Sequence, residues 1–307
     1  MRLKQFDLNL LVVLDSLLTE RSATRAGRII NLSQPAVSNA LTRLREYFHD
    51  DLLMHVGHDL VPTALGRSLA APVRDILVRA RTTLASRETF DPKSATRKFA
   101  VMASDYVLSV LLAQVAKRTH NVAPGVTYDF YPNIHPATYE LDEGFIDLLI
   151  LPEQFLSSQH DHEFLYHEDF VCTVWSKNEL VGDEISLEQL MELRQIVVAP
   201  AGGRDRYPSM IDRWWIDRLG SDRHVEVVVA AFTAVPQFIL GTTRYAIMHR
   251  KLAKLFVKHY ELKILTLPIE FPTLNVAMQW NRHRSEDAGI KWLRQMLRLT
   301  VNEPPTL

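Results

Sequence analysis

One cysteine, Cys172, stands alone among 307 residues, so no intramolecular disulfide can form and a reducing compartment is the natural setting. No uninterrupted apolar run reaches ~18 residues, and the opening MRLKQFD lacks a hydrophobic signal segment. A cytoplasmic protein without a membrane span is therefore expected. Catalytic signatures are missing too: there is no G-x-S-x-G, no P-loop and no G-x-G-x-x-G. His160, His162 and His167, with Asp161 and Glu163, invite a zinc reading. The H-E-x-x-H geometry needs histidines four apart on one helix face, whereas His162 and His167 are five apart in a stretch that does not read as helix. Cys172, inside FVCTVW, reads as a buried small hydrophobe rather than a nucleophile. The chain is thus expected to be no enzyme and to hold no metal or cofactor. What is present is an ordinary apolar fraction of 47%, in a chain long enough for two or three modest domains.

The net charge of −1 hides an asymmetry. Residues 1–87 hold 12 Lys/Arg against 8 Asp/Glu, while the remainder holds 23 against 28. The basic end also carries the most structured stretch, Ser22 to Phe48, which reads as two short helices joined by a tight turn. Ser33 sits where an N-cap belongs, and Gln34 and Pro35 open the second helix, since proline at a first helical position loses no hydrogen bond. Val37, Leu41, Leu44 and Phe48 form one apolar stripe, so Gln34, Ser38, Asn39, Thr42 and Arg45 face away from it. Gln and Asn can bond adenine bidentately, Ser and Thr can reach bases or phosphates, and Arg can take guanine or phosphate. A helix-turn-helix that reads double-stranded DNA is the sharper reading, and an ordinary helical hairpin the blander one. The DNA-contact candidates are Ser33, Gln34, Pro35, Ser38, Asn39, Thr42, Arg43, Arg45 and, in the segment after the second helix, His55.

An apolar helix precedes this motif at Leu8 to Leu18, and a short two-stranded segment follows at Leu52 to Pro62. Taken together, the LNLL start, the LSQPAVSNAL core and the VPT close resemble the amino-terminal domain of LysR-type transcriptional regulators. Within that family the likeness is greatest to the branch of nodulation regulators and of naphthalene, salicylate and nitrotoluene catabolism. The resemblance implies a winged helix-turn-helix over residues 1–62, promoter DNA as partner, a homo-oligomer (dimer or tetramer), and RNA polymerase as a further partner. Where relatives commonly place arginines in the wing, this chain has His55 and His58, which attract phosphate less strongly at neutral pH.

From Thr63 to about Arg87 the spacing predicts one long helix, with Leu65, Leu69, Val73, Ile76, Ala80 and Leu84 forming a seam and Pro72 bending or locally opening it. The seam fits pairing with the same helix of a second subunit; packing on the chain's own domain is the alternative. Residues 63–90 thus form a linker, and ETFDPKSATRK has the composition of a hinge. From Phe99 onward apolar runs alternate with helical patterns, which implies an α/β fold with mostly parallel sheets. The resemblance implies two periplasmic-binding-protein-like subdomains within 91–307: about 91–164 with 268–307, and about 165–267. The chain then crosses near Phe164 and again near Leu267, and a small ligand would enter the cleft between subdomains.

Candidate cleft residues are Ser104, Asp105 and Tyr106 after the first strand of that region; in the resembling family this position lines the inducer pocket. As a plain alternative, Ser104 or Asp105 caps a helix. Arg204, in the turn Gly202–Gly203–Arg204–Asp205, is a candidate for the ligand's anionic handle. Phe232, Thr233, Met248, Pro152 and Trp280 are expected at strand ends as an aromatic and apolar wall, with Asn133 and His135 on the opposite lip. The expected function is a regulator of a catabolic operon that answers a small aromatic inducer: a phenol, a hydroquinone or an aromatic acid. The competing reading is a solute-binding protein with no role on DNA, which leaves the first 87 residues unexplained.

Overall fold

A computed structural model describes residues 6–56, 59–85, 90–133, 138–142, 144–199, 210–219 and 223–303. The chain divides into two units, Met1–Thr89 with Asp142–Phe145, and Phe90–Leu141 with Ile146–Leu307.

The first unit starts with α1 (Asn9–Glu20), α2 (Ala23–Ile29) and α3 (Gln34–Phe48). Ser22 caps α2 and Ser33 caps α3, each hydroxyl accepting a backbone N–H of the first turn. Val37 and Leu44 on α3 are fully buried against Leu14 and Leu17 on α1, and burial of each such side chain contributes about 1.5–3 kcal/mol. Strands β1 (Leu53–Val56) and β2 (Asp59–Pro62) pair antiparallel as a wing, and α4 (Ala64–Ala85) follows, continuing through Pro72. The expected seam divides on α4. Val73 and Leu77 are buried in the first unit's own core, and Leu65 and Leu69 pack against it, so only part of the row is available to another subunit. Ile76 remains 46% exposed. The sequence pattern could not separate these two faces, because an own-domain stripe and a pairing seam share the same spacing.

The second unit contains β3 (Lys98–Ala103), α5 (Asp105–Val107), a π turn at Leu108–Leu112, α6 (Ala113–Thr119), β4 (Thr127–Tyr131), α7 (Thr138–Asp142), β5 (Leu148–Pro152) and β6 (Asp161–Glu168). Next come β7 (Phe170–Trp175), α8 (Leu187–Glu192), β8 (Gln195–Val198), α9 (Met210–Leu219), β9 (Val225–Val229), α10 (Val235–Ile239), β10 (Tyr245–His249), α11 (Arg250–Phe256) and β11 (Leu262–Leu265). Strand β12 (Leu274–Trp280) and α12 (Ala288–Asn302) close the chain. Two five-stranded sheets result, ordered β4-β3-β5-β12-β6 and β11-β7-β10-β8-β9.

Each sheet is mixed rather than mostly parallel: β12 runs antiparallel to both β5 and β6, and β7 to both β10 and β11. The crossing expected near Phe164 falls instead at Asp169, because β6 still pairs with β12 in the first sheet. The chain returns to the first sheet between Leu265 and Leu274. Asp169 thus separates two successive strands that belong to different sheets.

Gly66 lies so close to Leu52 that an added Cβ would sit 2.2 Å from the Leu52 carbonyl oxygen. Alanine normally gains about 1 kcal/mol over glycine inside a helix, but a backbone clash of this depth outweighs it. Gly66→Ala is expected to destabilise the first unit by about 1–3 kcal/mol, read as a lower urea midpoint of the full-length protein; an unchanged or raised midpoint would contradict this packing.

Candidate functional site: the reading helix and the junction of two sheets

Gln34, Pro35, Ser38, Asn39, Thr42 and Arg43 lie exposed on α3, opposite its buried stripe. Ser33 is exposed as well, its hydroxyl engaged in the cap. Gln34 Oε1 accepts from the Thr24 hydroxyl at 3.3 Å, so α2 holds this side chain at the start of the exposed face of α3. Arg43 stands 3.6 Å from the Asp7 carboxylate. Arg45 departs from the expectation: its guanidinium donates to the carbonyls of Asp51 at 2.8 Å and Leu53 at 2.6 Å. Those carbonyls belong to the entry of the wing, so Arg45 ties α3 to β1 rather than facing outward. The backbone of His55 lies in β1; its side chain falls outside the described residues, as do His58, His135 and the turn bearing Arg204.

In the second unit the carboxyl ends of the parallel strands of both sheets meet the crossing at Asp169, which places Ser104, Asn133, Pro152, Glu168, Phe232 and His249 at or beside one edge. Ser104 caps the following turn, its hydroxyl accepting from Val107 N–H. Asp105 reaches to the other sheet's side, where its carboxylate accepts from the Thr233 N–H at 2.8 Å and hydroxyl at 2.9 Å. Tyr106 is buried, donates its hydroxyl to Glu168 and stacks on His249 with ring centroids 3.8 Å apart. Burial and the neighbouring carboxylate push the Tyr106 phenol far up, so it remains a donor. Asn133 Oδ1 is buried without a hydrogen bond among the described residues, and Pro152 is half-buried at the end of β5.

Met248 is fully buried near the end of β10, next to His249. One expected wall residue lies elsewhere. Trp280 is at the far end of the first sheet: β12 pairs Val276 with Pro152 and Trp280 with Asp161, so the strand carries Trp280 away from the junction. Its indole N–H donates to Ser285, and Arg294 lies 3.4 Å over its ring. The three histidines of the zinc reading are separately engaged: His160 accepts from the Arg282 N–H, His162 faces Glu153, and His167 bonds Asn275. Cys172 is buried, which pushes its thiol up.

Sequence reasoning passed over His249, the last residue of YAIMH. The residue is 5% exposed, flanked by Tyr106, Phe170 and Phe232, and its Nδ1 has no hydrogen-bond partner among the described residues. A polar residue closing an apolar strand at the carboxyl end of a parallel sheet was the available signal.

Residues 8–67 match the model of the bacterial regulatory helix-turn-helix protein, lysR family, and residues 92–301 match the LysR substrate binding domain. Nodulation protein D 2 of Rhizobium tropici is 39% identical over 97% of this chain and 93% of its own length. A nodulation protein D 1 of Bradyrhizobium diazoefficiens is 36% identical over 100% of this chain and 99% of its own. The chain belongs to the LysR family of transcriptional regulators. Its fold agrees with a full-length OxyR variant from Pseudomonas aeruginosa, with a TM-score of 0.74 at 17% identity over 98% of this chain and 99% of that one. Full-length CbnR complexed with its target DNA gives 0.52 at 14% identity, covering 97% and 100%. In this LysR-type regulator no helix of the described residues is long and apolar enough to cross a membrane.

Burial lowers the His249 pKa from the ordinary 6.5 to about 3, so the folded regulator holds a neutral imidazole. An unfolded chain takes up a proton there below pH ~6.5 that the folded chain refuses, so stability falls as pH falls through that window. Between pH 7.5 and 5.5 the wild type is expected to lose about 1.4 kcal/mol more than His249→Leu, measured by urea unfolding; parallel pH profiles would contradict a buried neutral imidazole.

Proposed function

We propose that this LysR-type regulator binds a small aromatic inducer where the two sheets of its second unit meet, and that His249 contacts the inducer's polar group. The observation that supports this is the buried Nδ1 among aromatic rings, unpaired among the described residues, since a polar atom so placed costs free energy until a partner arrives. A neutral imidazole offers one donor and one acceptor, which suits a phenolic hydroxyl, a hydroquinone or the carboxyl of an aromatic acid. Arg204 and His135 remain proposed contributors, with Ser104, Asn133, Pro152 and Phe232 beside them. Inducer control requires differential affinity for two arrangements of the sheets, and the Asp105–Thr233 and Tyr106–His249 contacts, each spanning the two sheets, would distinguish those arrangements. The named relatives are nodulation proteins rather than catabolic regulators, so the regulated genes are proposed to be those answering the inducer, without committing to a catabolic operon. The active species is a homo-oligomer in the cytoplasm that engages RNA polymerase at the promoter.

A thermal-shift screen of the full-length protein against phenols, hydroquinones and aromatic acids tests the inducer class. A ligand at ~100 times its dissociation constant adds about 2.7 kcal/mol of stability. A hit that vanishes in His249→Leu while DNA binding persists is the expected result; a hit that survives unchanged in that variant would remove His249 from the site.

On α3, Gln34→Ala and Ser38→Ala are each expected to weaken binding to a DNA duplex selected by the protein by about 1–3 kcal/mol and to relax preference at one base pair. Equal weakening on every sequence would make them phosphate contacts instead.

A further inference from the structure

We propose that Arg74 is a positioning residue that locks α4 to the DNA-reading head, so that the direction of α4 fixes the angle at which α3 meets DNA. Arg74 is 6% exposed although it lies on a long helix rich in polar residues. Nε stands 2.5 Å from Asp15 Oδ1, and Nη2 donates to the Thr19 hydroxyl at 2.5 Å. Asp15 and Thr19 are one turn apart on α1, the helix against which α3 packs its buried stripe.

A second fastening lies at the start of α4. The Asp50 carboxylate, just beyond α3, accepts from the Leu52 N–H at 2.7 Å and the Thr63 hydroxyl at 2.6 Å. Thr63 Oγ1 in turn accepts from the Gly66 N–H at 3.0 Å, capping α4. At a rise of ~1.5 Å per residue, Thr63 and Arg74 are about 16 Å apart along the helix. A rod held at one point can swing; held at two points this far apart, it cannot. Apolar contacts of Val73 and Leu77 alone would still allow α4 to roll, because hydrophobic attraction has no preferred direction. The planar guanidinium fork supplies that direction. A buried ion pair adds little net stability compared with well-packed apolar residues, so orientation is the stronger account of its presence.

The consequence concerns paired heads in the oligomer. Changing the separation of two half-sites by one base pair rotates one against the other by about 34°. Heads rigidly fixed to their α4 helices cannot follow that rotation.

The test uses duplexes selected from random DNA by the full-length wild-type protein, then respaced by one or two base pairs between half-sites or cut to a single half-site. The wild type is expected to lose about ten-fold in affinity on respacing, whereas Arg74→Met retains single-half-site affinity within about two-fold and loses less than about three-fold on respacing. Thr19→Val, which removes one acceptor and is well tolerated sterically, is expected to soften the spacing preference in the same sense. A respacing penalty as steep in Arg74→Met as in the wild type would overturn the proposal. So would a wild type indifferent to spacing, or loss of single-half-site binding in Arg74→Met and Arg74→Lys alike, which would make the side chain merely structural.

Discussion

The carboxylate of Glu168 is the point on which the second unit depends. It is 1% exposed, at the last residue before the chain leaves one sheet for the other. Tyr106, from the turn after β3, donates to one oxygen, and the Lys251 N–H at the start of α11 donates to the other at 3.0 Å. The Lys251 ammonium stands 3.5 Å away and also donates to the His167 carbonyl. Removing one hydrogen-bond partner of so buried a polar group typically costs about 1–3 kcal/mol. The two sheets are therefore joined by a directional link as well as by a continuous apolar core, and the Asp105–Thr233 bonds and the Tyr106–His249 stack are arranged around that link.

Local chemistry made the head legible in the sequence. Ser22 and Ser33 cap, Pro35 sits at a helix start, and the period of Val37, Leu41 and Leu44 is complete within one helix. Resemblance to a known family supplied what local pattern does not carry, namely that two sheets share one chain. The crossing itself was misplaced because β6 and β7 are separated by the single residue Asp169, and neither strand's pattern says which sheet it joins. Trp280 was misplaced for a related reason: strand ends face a ligand only when strand direction is known, and β12 is antiparallel to β5.

Arg45 and Arg74 show a different limit. A helical projection assigns each residue to a face, but it cannot foresee a backbone carbonyl or a carboxylate arriving from elsewhere in the chain. Asp51 and Leu53 claim Arg45, and Asp15, 59 residues away in sequence, claims Arg74. Such long-range claims convert residues that look solvated into fixed parts of the frame. His249 is the converse case, a residue that looks like a strand boundary and proves to be enclosed by rings.

The same device recurs where the chain enters the second unit. Arg97, immediately before β3, forms a fork onto Asp287 at 2.5 and 2.9 Å, and Asp287 caps α12 through Gly289 and Ile290 N–H. Burial alone would raise the Asp287 pKa, but the hydrogen bonds and charge of Arg97 prevail and hold it below the ordinary carboxylate range. Arg284 completes the cluster, 2.6 Å from the Asp147 carboxylate that accepts from the Ala100 N–H in β3. The first strand is thus anchored to the last helix across 190 residues of sequence. Arg74 in the first unit and Arg97 in the second thus use the same device, a guanidinium set against a carboxylate, each to fix an element within its own unit.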